Sequence, residues 1–367
     1  MDDETLKYRI ALSFLNNIGP LLARTLVSYC GGVEQVFSFV QNKFLKIPGI
    51  GPGIVNSLNR EEALSRAERE IKFVRKNNIK VLFYLDDEYP LRLKQCADSP
   101  ILLYTKGNQN LNPTRTISIV GTRKATDYGK KVVRQMLNAL IPYDVLIVSG
   151  LAYGIDYNAH NEAVKNSLQT VGVLGHGLDR IYPAAHNNLA RKMMKNGGIL
   201  SEYPFGTMPD RENFPQRNRI IAGLSDAVIV VESNVKGGAI ITAIIANSYN
   251  RDVFAVPGDI DREYSSGCNQ LIQQSRAAIF TSVSQMAENM GWNDKPKKTK
   301  VRQPVLPLEL SDDEKIIMNL LPEKISMAID NIILASPINS SRVSSALLEL
   351  EFKGLVIPLP GKHYKLS

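Results

Sequence analysis

Ile117-Ser118-Ile119-Val120-Gly121-Thr122-Arg123-Lys124 is the stretch that decides the fold of this chain. Its apolar run stops at Gly121 and a polar, helix-compatible segment follows, which is typical of the first strand and helix of a doubly wound α/β domain. Gly121 permits a tight turn, and the backbone amides that open the next helix are free to meet an anion. Arg123 and Lys124 place two cations beside those amides. The sequence therefore predicts a phosphate-binding turn at this point.

The turn matches neither of two common nucleotide-binding motifs. It lacks G-x-G-x-x-G, and Gly129-Lys130 lies too far from Gly121 to complete a G-x-x-x-x-G-K-[ST] loop. The identity of the phosphate-bearing ligand therefore has to come from the other loops of the domain.

From Thr116 onward, short apolar runs alternate with helix-like stretches, which is typical of a mostly parallel sheet covered on both faces. The predicted strands are 116–121, 145–149, 170–175, 198–202, 227–232 and 252–256. The predicted helices are 127–141, 155–166, 186–196, 217–225, 239–250 and 267–275. Because ligands bind at the carboxyl ends of such strands, the loops that follow them are the candidate site.

Three of these loops permit close approach of a ligand to the backbone. Ser149-Gly150 begins a loop of small residues that ends at the helix predicted from residue 155. The loop 175–183 contains two glycines and offers Tyr182 as a stacking face. Lys236-Gly237-Gly238 forms another amide-rich turn before an apolar helix.

The segment 203–219 combines arginines, prolines and aromatic residues before a helix. Long loops in compact domains are commonly functional. Phosphates need charge and splayed bases need flat surfaces, so Phe214, Arg217 and Arg219 suit a single-stranded nucleic acid. The alternative is that Arg217 and Arg219 brace the sheet edge by pairing with buried carboxylates such as Glu202 or Glu232.

The bulk composition is ordinary for a soluble protein, with 44% hydrophobic and 22% charged residues among 367. The formal net charge of +8 is compatible with local basic sites for a polyanion. Three scattered cysteines offer neither a disulfide framework nor zinc spacing. No stretch approaches the roughly 20 apolar residues of a membrane helix, and the acidic start of the chain shows no secretory signal. A cytoplasmic location with no membrane contact is expected.

The flanks of the α/β core have their own character. Residues 1–78 are predicted as a helical domain of helix-hairpin-helix or SAM-like type, with glycine turns at 17–23 and 47–55 that either hold a DNA phosphate or merely connect helices. The charged stretch 61–77 is predicted as a solvated connecting helix. The core is assigned to 79–293 and a basic linker to 294–305. Residues 306–367 read as three helices and a hairpin, a winged-helix-like domain for protein contact or weak DNA binding.

Catalytic arrangements are not favoured. Lys236-Gly237-Gly238 is similar to the turn of nucleotide phosphoribohydrolases, but those enzymes need a glutamate just inside the following helix and 233–251 holds no acidic residue. Ser149 is not in a G-x-S-x-G motif. The four histidines have no zinc-binding spacing, and the acids at 259, 261 and 263 are read as a solvated loop in preference to a magnesium site.

With these loops assembled, the chain closely resembles the bacterial DNA-processing protein A family, called DprA or Smf. The resemblance is dense over roughly residues 80–280, and the flanking modules agree with the family's three-part layout. The matching motifs, in chain order, are Tyr89-Pro90, Asp98-Ser99-Pro100, Leu103-Tyr104, Gly121-Thr122-Arg123, Tyr128-Gly129, 149–156, 177–179, Tyr182-Pro183, 201–204, 214–225, 241–243, 256–258 and 267–272.

The resemblance implies an extended Rossmann-like core that binds single-stranded DNA without catalysis or a cofactor. It also implies a homodimer, with contacts near Leu271 and Ile272, that loads RecA recombinase onto DNA during natural transformation. Gly237-Gly238 and His176 depart from the family pattern and affect only the fine shape of the pocket. The residues predicted to contact DNA are those implied by the family together with their neighbours in the amide-rich turns: Gly121, Thr122, Arg123, Lys124, Ser149, Gly150, Phe214, Arg217, Asn218, Arg219 and Lys236.

Overall fold

The computed structural model describes residues 2–292, 310–322, 326–359 and 362–366. The chain divides into two compact units, residues 1–293 and 294–367. The linker predicted at 294–305 lies outside the described residues, and the boundary predicted between residues 78 and 79 stays a prediction.

The first unit begins with a layer of helices that packs on one end of the sheet. Its helices are α1 (Asp3–Leu12), α2 (Pro20–Cys30), α3 (Val33–Ser38), α4 (Pro52–Ser57) and α5 (Arg60–Lys76). The prediction that 61–77 is a solvated connector is wrong, because Ala63, Ala67, Ile71 and Val74 of α5 are buried and α5 packs along α1. Two of these four positions are alanines, so the buried stripe is narrow and was masked by the surrounding charges.

The described residues of the first unit hold a nine-stranded sheet. Its strands are β1 (Lys80–Phe83), β2 (Leu102–Gly107), β3 (Thr116–Val120), β4 (Leu146–Ser149), β5 (Thr170–Leu174), β6 (Gly197–Ser201), β7 (Ala227–Val230), β8 (Asp252–Ala255) and β9 (Ala278–Ile279). β2 pairs antiparallel with β1 and β6. The pairs β6–β5, β5–β4, β4–β3, β3–β7, β7–β8 and β8–β9 are parallel. This confirms the predicted mostly parallel sheet, and the six strands predicted from residue 116 onward end within one or two residues of β3 to β8.

The strand order is β1-β2-β6-β5-β4-β3-β7-β8-β9. The chain therefore moves outward from β3 to β6 and then returns to place β7 on the other side of β3. The loops that follow the neighbouring strands β3 and β7 leave the sheet in opposite directions. Doubly wound sheets bind ligands in the crevice that results. The topology thus places the switch point at the carboxyl ends of β3 and β7.

Helices cover both faces of the sheet, as expected for a doubly wound fold. They are α6 (Leu91–Lys94), α7 (Asp127–Leu140), α8 (Ile155–Lys165), α9 (Asn187–Met193), α10 (Asn213–Leu224), α11 (Gly238–Ser248), α12 (Glu263–Gln273) and α13 (Val283–Asn289). One apolar core joins the sheet to α6, α10, α11 and α12. A second core joins its opposite face to α7, α8 and α13.

Two helices begin earlier than predicted. α10 begins at Asn213 and not at 217, because Pro215 lies in its first turn, where the missing N–H has no helical partner to lose. α12 begins at Glu263 and not at 267. The first difference matters for the site, since it places Phe214, Arg217 and Asn218 on one face of a helix at i, i+3 and i+4.

The second unit has the winged-helix form that the sequence predicts. Within its described residues, α14 (Asp312–Leu320), α15 (Ile329–Ala335) and α16 (Ser340–Phe352) enclose an apolar core. The strands β10 (Met327–Ala328), β11 (Val356–Leu359) and β12 (His363–Leu366) form a three-stranded sheet in the order β10-β12-β11. Arg342 of α16 pairs with Asp313 of α14 at 2.6 Å, so this cation is engaged within its own unit.

The amino ends of β3 and β7 are joined by one charged cluster. Asp226, next to β7, accepts a hydrogen bond from the amide of Thr116 at 2.8 Å. The same carboxylate receives two hydrogen bonds from Arg92, at 2.6 and 2.9 Å. We expect Asp226→Ala to lower the free energy of unfolding of the first unit by about 2 kcal/mol, because it leaves the buried amide of Thr116 and Nε of Arg92 without their acceptor.

The measurement is urea denaturation followed by fluorescence of Trp292, the single tryptophan of the chain, which is buried in this unit. Asp252→Ala is the matched control, because Asp252 is exposed at the start of the neighbouring strand β8. We expect the control to change stability by less than about 0.5 kcal/mol. Equal effects of the two substitutions would contradict this role of Asp226.

Candidate functional site

A cleft of about 630 Å³ opens at the switch point between β3 and β7. Its walls are the turns after β3, β4, β5 and β7, the segment between β6 and α10, and the first turns of α10 and α11. The side chains and turns that line it include Gly121, Thr122, Arg123, Ala152, Asp156, Tyr182, Pro209, Arg211, Phe214, Arg217, Asn218, Ser233, Asn234, Gly237 and Gly238. Six of the eleven residues predicted to contact DNA are in this set. The cleft is therefore assembled by the loops that the sequence singled out.

Arg217 is the most buried cation of the cleft, with 4% of the residue exposed. Its guanidinium lies directly over Gly150, where a Cβ atom would overlap Nη1. The glycine is therefore required by the close approach of the arginine. Within the described residues, Nε and Nη1 of Arg217 have no hydrogen-bond partner. A buried N–H group without a partner is costly, so an acceptor from a ligand or from water would lower the cost of burying Arg217 here.

Asp156 is the carboxylate that faces Arg217. It is buried on α8 and accepts hydrogen bonds from the amides of Gly150 at 3.2 Å and Ala152 at 3.4 Å. Burial raises the pKa of Asp156, while the charge of Arg217 opposes that rise. Burial likewise lowers the pKa of Arg217 to about 10, while Asp156 opposes the fall. Arg217 therefore carries its charge at neutral pH.

Arg123 and two aromatic rings form the outer wall of the cleft. The guanidinium of Arg123 lies 5.5 Å from the ring centre of Phe214, and that of Arg217 lies 6.0 Å from the same ring. The ring of Tyr182 is 6.0 Å from Phe214 and tilted by 33°. Cations are thus interleaved with aromatic faces, which is the pattern that binds phosphates and splayed bases together.

The start of α11 forms the opposite wall. Gly237 precedes the helix without a side-chain cap, so the first amides of α11 face the cleft. Asn218 donates from Nδ2 to the carbonyl of Gly238 at 3.4 Å and joins this wall to α10. Lys236 is exposed in the same turn but does not line the cleft.

The wall that carries Pro209 and Arg211 is anchored to the N-terminal helices. Glu70 of α5 is buried and accepts a hydrogen bond from the amide of Phe205 at 2.9 Å. Phe73 stacks on the ring of Phe205 with the centres 4.4 Å apart. The helical layer therefore fixes the start of the long segment that leads to α10.

Besides Lys236, four of the residues predicted to contact DNA lie outside the lining of the cleft. The Ser149 hydroxyl is buried and donates to the carbonyl of Ile119 at 2.6 Å. Gly150 lies beneath Arg217, and Lys124 is exposed outside the lining set. Arg219 is paired with Glu202, so the bracing alternative describes this arginine. Its position, i+5 from Phe214 on α10, turns it away from the face that carries Phe214 and Arg217.

The two residues predicted for dimer contacts are placed differently from each other. Leu271 is buried in the core beneath α12, whereas Ile272 is half-buried. Leu271 is therefore engaged within the monomer, and the dimer contact itself stays a prediction.

The predicted site omitted Arg211, Asn234 and Asp156, which line the cleft. Arg211 belongs to the segment 203–219, but within that segment DNA contacts were predicted only from Phe214 onward. The electrostatic interaction of Asp156 with Arg217 links α8 to α10, which are far apart in the sequence, and no local pattern reports it.

His160 packs beneath the loop that follows β4. The histidine is fully buried on α8, with Nδ1 2.7 Å from the hydroxyl oxygen of Thr170. The Thr170 hydroxyl donates to the carbonyl of Ile147 at 3.0 Å, so its oxygen accepts from Nδ1–H of His160. Burial lowers the pKa of His160 to about 3, helped by the charges of His186 and Arg217.

Within the described ranges no group of histidine, cysteine and acidic side chains is arranged to hold a metal ion. None of the described helices is long and apolar enough to cross a membrane.

Comparison with known proteins gives a consistent result. The family model for DNA recombination-mediator protein A matches residues 80–291, and the model for the DprA winged helix domain matches 301–362. Protein Smf of Synechocystis is 32% identical over 391 aligned positions, which cover 98% of both chains. DNA processing protein DprA of Bacillus subtilis is 40% identical and covers 60% of this chain and 75% of its own length.

Solved structures agree with these relatives. DNA processing protein A from Streptococcus pneumoniae superposes with a TM-score of 0.67 at 33% identity, covering 77% of this chain and 97% of its own. DNA processing protein A from Helicobacter pylori, described with a unique single-stranded DNA binding mode, gives a TM-score of 0.53 at 28% identity and covers 58% and 96% of the two chains.

The neutral state of His160 predicts a pH dependence of stability. Its pKa in the unfolded chain is close to 6.5 and falls to about 3 on folding, so the unfolded state binds the extra proton. This contribution to stability is complete above pH 6.5 and is lost as the pH falls toward 3. At pH 5 the loss is about 2 kcal/mol.

We therefore expect the stability difference between the wild type and His160→Gln to shrink by that amount between pH 8 and pH 5, measured by urea denaturation. Taking the difference cancels the other titrating groups. A difference that stays constant over this range would show that His160 is not held neutral.

Proposed function

Because this chain belongs to the DNA recombination-mediator protein A family, also called DprA or Smf, we propose that it binds single-stranded DNA in the switch-point cleft and loads RecA recombinase onto that DNA. Membership supports a role in DNA processing and recombination. Natural transformation is the setting that the resemblance implies. The protein acts in this proposal as a non-catalytic homodimer in the cytoplasm.

The observation that carries the DNA proposal is the buried guanidinium of Arg217, whose Nε and Nη1 have no partner within the described residues. A phosphate oxygen supplies the missing acceptor, and charge-assisted hydrogen bonds from arginine suit phosphate better than neutral groups do. Arg123 adds a second cation to the same cleft, and the rings of Tyr182 and Phe214, 6.0 Å apart, line it beside the two arginines.

A polymer fits this cleft better than a nucleotide that is to be hydrolysed. Of the described residues that line the cleft, Asp156 is the acidic one, and its oxygen already accepts from two backbone amides. The helix that opens at Gly238 holds no acidic side chain. The phosphoribohydrolase alternative therefore lacks its carboxylate, and the relatives do not favour it.

Arg123→Glu should weaken the binding of a fluorescent single-stranded oligonucleotide by at least about tenfold, because a charge-assisted phosphate contact worth about 1.5–3 kcal/mol is replaced by repulsion. Fluorescence anisotropy gives the dissociation constant. Lys195→Glu is the matched charge reversal, since Lys195 is exposed next to the amino end of β6, at the edge of the sheet opposite the cleft. If Arg123→Glu binds as tightly as the control, DNA does not occupy this cleft.

The same binding should weaken steeply with salt. Neutralising three phosphates by Arg123, Arg211 and Arg217 gives a slope of log K against log[salt] near −2, at about −0.7 per phosphate. Arg123→Ala should flatten that slope by about 0.7. A slope that is unchanged in Arg123→Ala would mean that this arginine neutralises no phosphate.

A further inference from the structure

Tyr153 stands just outside the cleft with its ring open to solvent. The residue is 50% exposed, although its neighbour Ala152 lines the cleft and Leu151 before it is fully buried. A single exposed tyrosine is ordinary on a protein surface. What distinguishes Tyr153 is the way in which its ring and backbone are held.

The ring of Tyr153 is fixed by a buried histidine. His186 is 3% exposed and meets Tyr153 edge to face, with centres 4.9 Å apart and planes at 74°. On another side the same imidazole meets Tyr157 of α8 at 4.7 Å. The Nδ1–H of His186 donates to the carbonyl of Leu151 at 2.9 Å, which ties the imidazole back to the loop that carries Tyr153. The ring of Tyr153 is therefore held in place by its neighbours, so it loses little conformational entropy when a flat ligand stacks on it.

The loop backbone is strained in a way that presents this ring. Leu151 has φ of 54°, in the left-handed region that a branched side chain avoids. Gly154 has φ of 79°, and a Cβ there would overlap the backbone of Arg123. The amide of Ile155 donates to the carbonyl of Thr122 at 3.1 Å. The turn with Tyr153 thus packs directly on the turn with Arg123, so a phosphate at Arg123 is next to a flat surface for a base.

The position of Tyr153 also indicates the path of a DNA strand across the site. Phe214 and Arg217 stand on α10, which belongs to one helical layer, whereas Tyr153 leans on His186 and thereby on Tyr157 of α8 in the opposite layer. A strand that enters over α10 and crosses the carboxyl edge of the sheet at Arg123 leaves over Tyr153.

From these contacts we propose that Tyr153 is a base-stacking platform that extends the single-stranded DNA site beyond the cleft. The inference rests on the proposed function of the cleft and adds to it a contact for a nucleotide outside the cleft. Stacking tolerates every base, so the platform lengthens the footprint without adding sequence preference.

Oligothymidylates of increasing length, titrated against the full chain by anisotropy, test this proposal. Stacking of one base is worth about 1–3 kcal/mol, so Tyr153→Ala should weaken long oligonucleotides by about 5- to 150-fold. The shortest oligonucleotide that the wild type binds, which fills only the cleft, should bind both proteins alike. Tyr153→Trp should restore the affinity, and Tyr29→Ala, which removes another exposed tyrosine, should leave it unchanged.

An abasic nucleotide moved stepwise along the long oligonucleotide locates the contact. At one position the abasic site should weaken binding to the wild type but add nothing to the loss in Tyr153→Ala. Equal affinity of Tyr153→Ala and the wild type at every length overturns the platform and leaves the cleft intact. A loss that is uniform at all lengths and is not restored by tryptophan also overturns it. If the wild type binds no oligonucleotide, the proposed function falls and the platform with it.

Discussion

The close approach of Arg217 to Gly150 is the constraint on which the cleft depends. A guanidinium can lie against the backbone after β4 only because residue 150 has no side chain. The approach brings α10 to the carboxyl ends of the strands. Asp156, on α8, compensates the charge of Arg217 and also accepts hydrogen bonds from two backbone amides of the loop after β4. Two opposite charges buried near each other without direct pairing contribute little net stability, because their desolvation is costly. The consequence of this arrangement is positional, since it holds charged donors at the point where the strand order reverses.

Other parts of the first unit support that arrangement from outside. The N-terminal helices fix the segment before α10 through Glu70 and Phe73, which both contact Phe205. The neutral ring of His160 fills the space below the β4 loop with a hydrogen bond to Thr170. On the far side, Arg219 pairs with Glu202 and keeps α10 in place on the sheet. Two arginines on one helix therefore face different surroundings, Arg217 the cleft and Arg219 the carboxylate of Glu202.

Much of this could be predicted from the sequence, because the relevant signals are local. The parallel sheet follows from short apolar runs such as 117–120, and the candidate loops follow from the strand ends. The start of α10 was placed too late because prolines were interpreted as loop signals, although Pro215 lies where a helix tolerates it. The narrow buried stripe of α5 was masked by charge. The electrostatic interaction of Arg217 with Asp156 and the burial of the Ser149 hydroxyl arise from tertiary packing, which no spacing in the chain encodes.

In the proposed function Arg217 keeps sheltered N–H groups for a phosphate of single-stranded DNA, whereas Arg219 is paired with Glu202. The most direct measurement is the ¹H–¹⁵N NMR signal of each arginine Nε during titration with an oligothymidylate. The account predicts that the Arg217 signal shifts in proportion to bound DNA and returns when high salt releases it, while the Arg219 signal stays in place. An Arg217 signal that does not move while DNA binds would contradict the account.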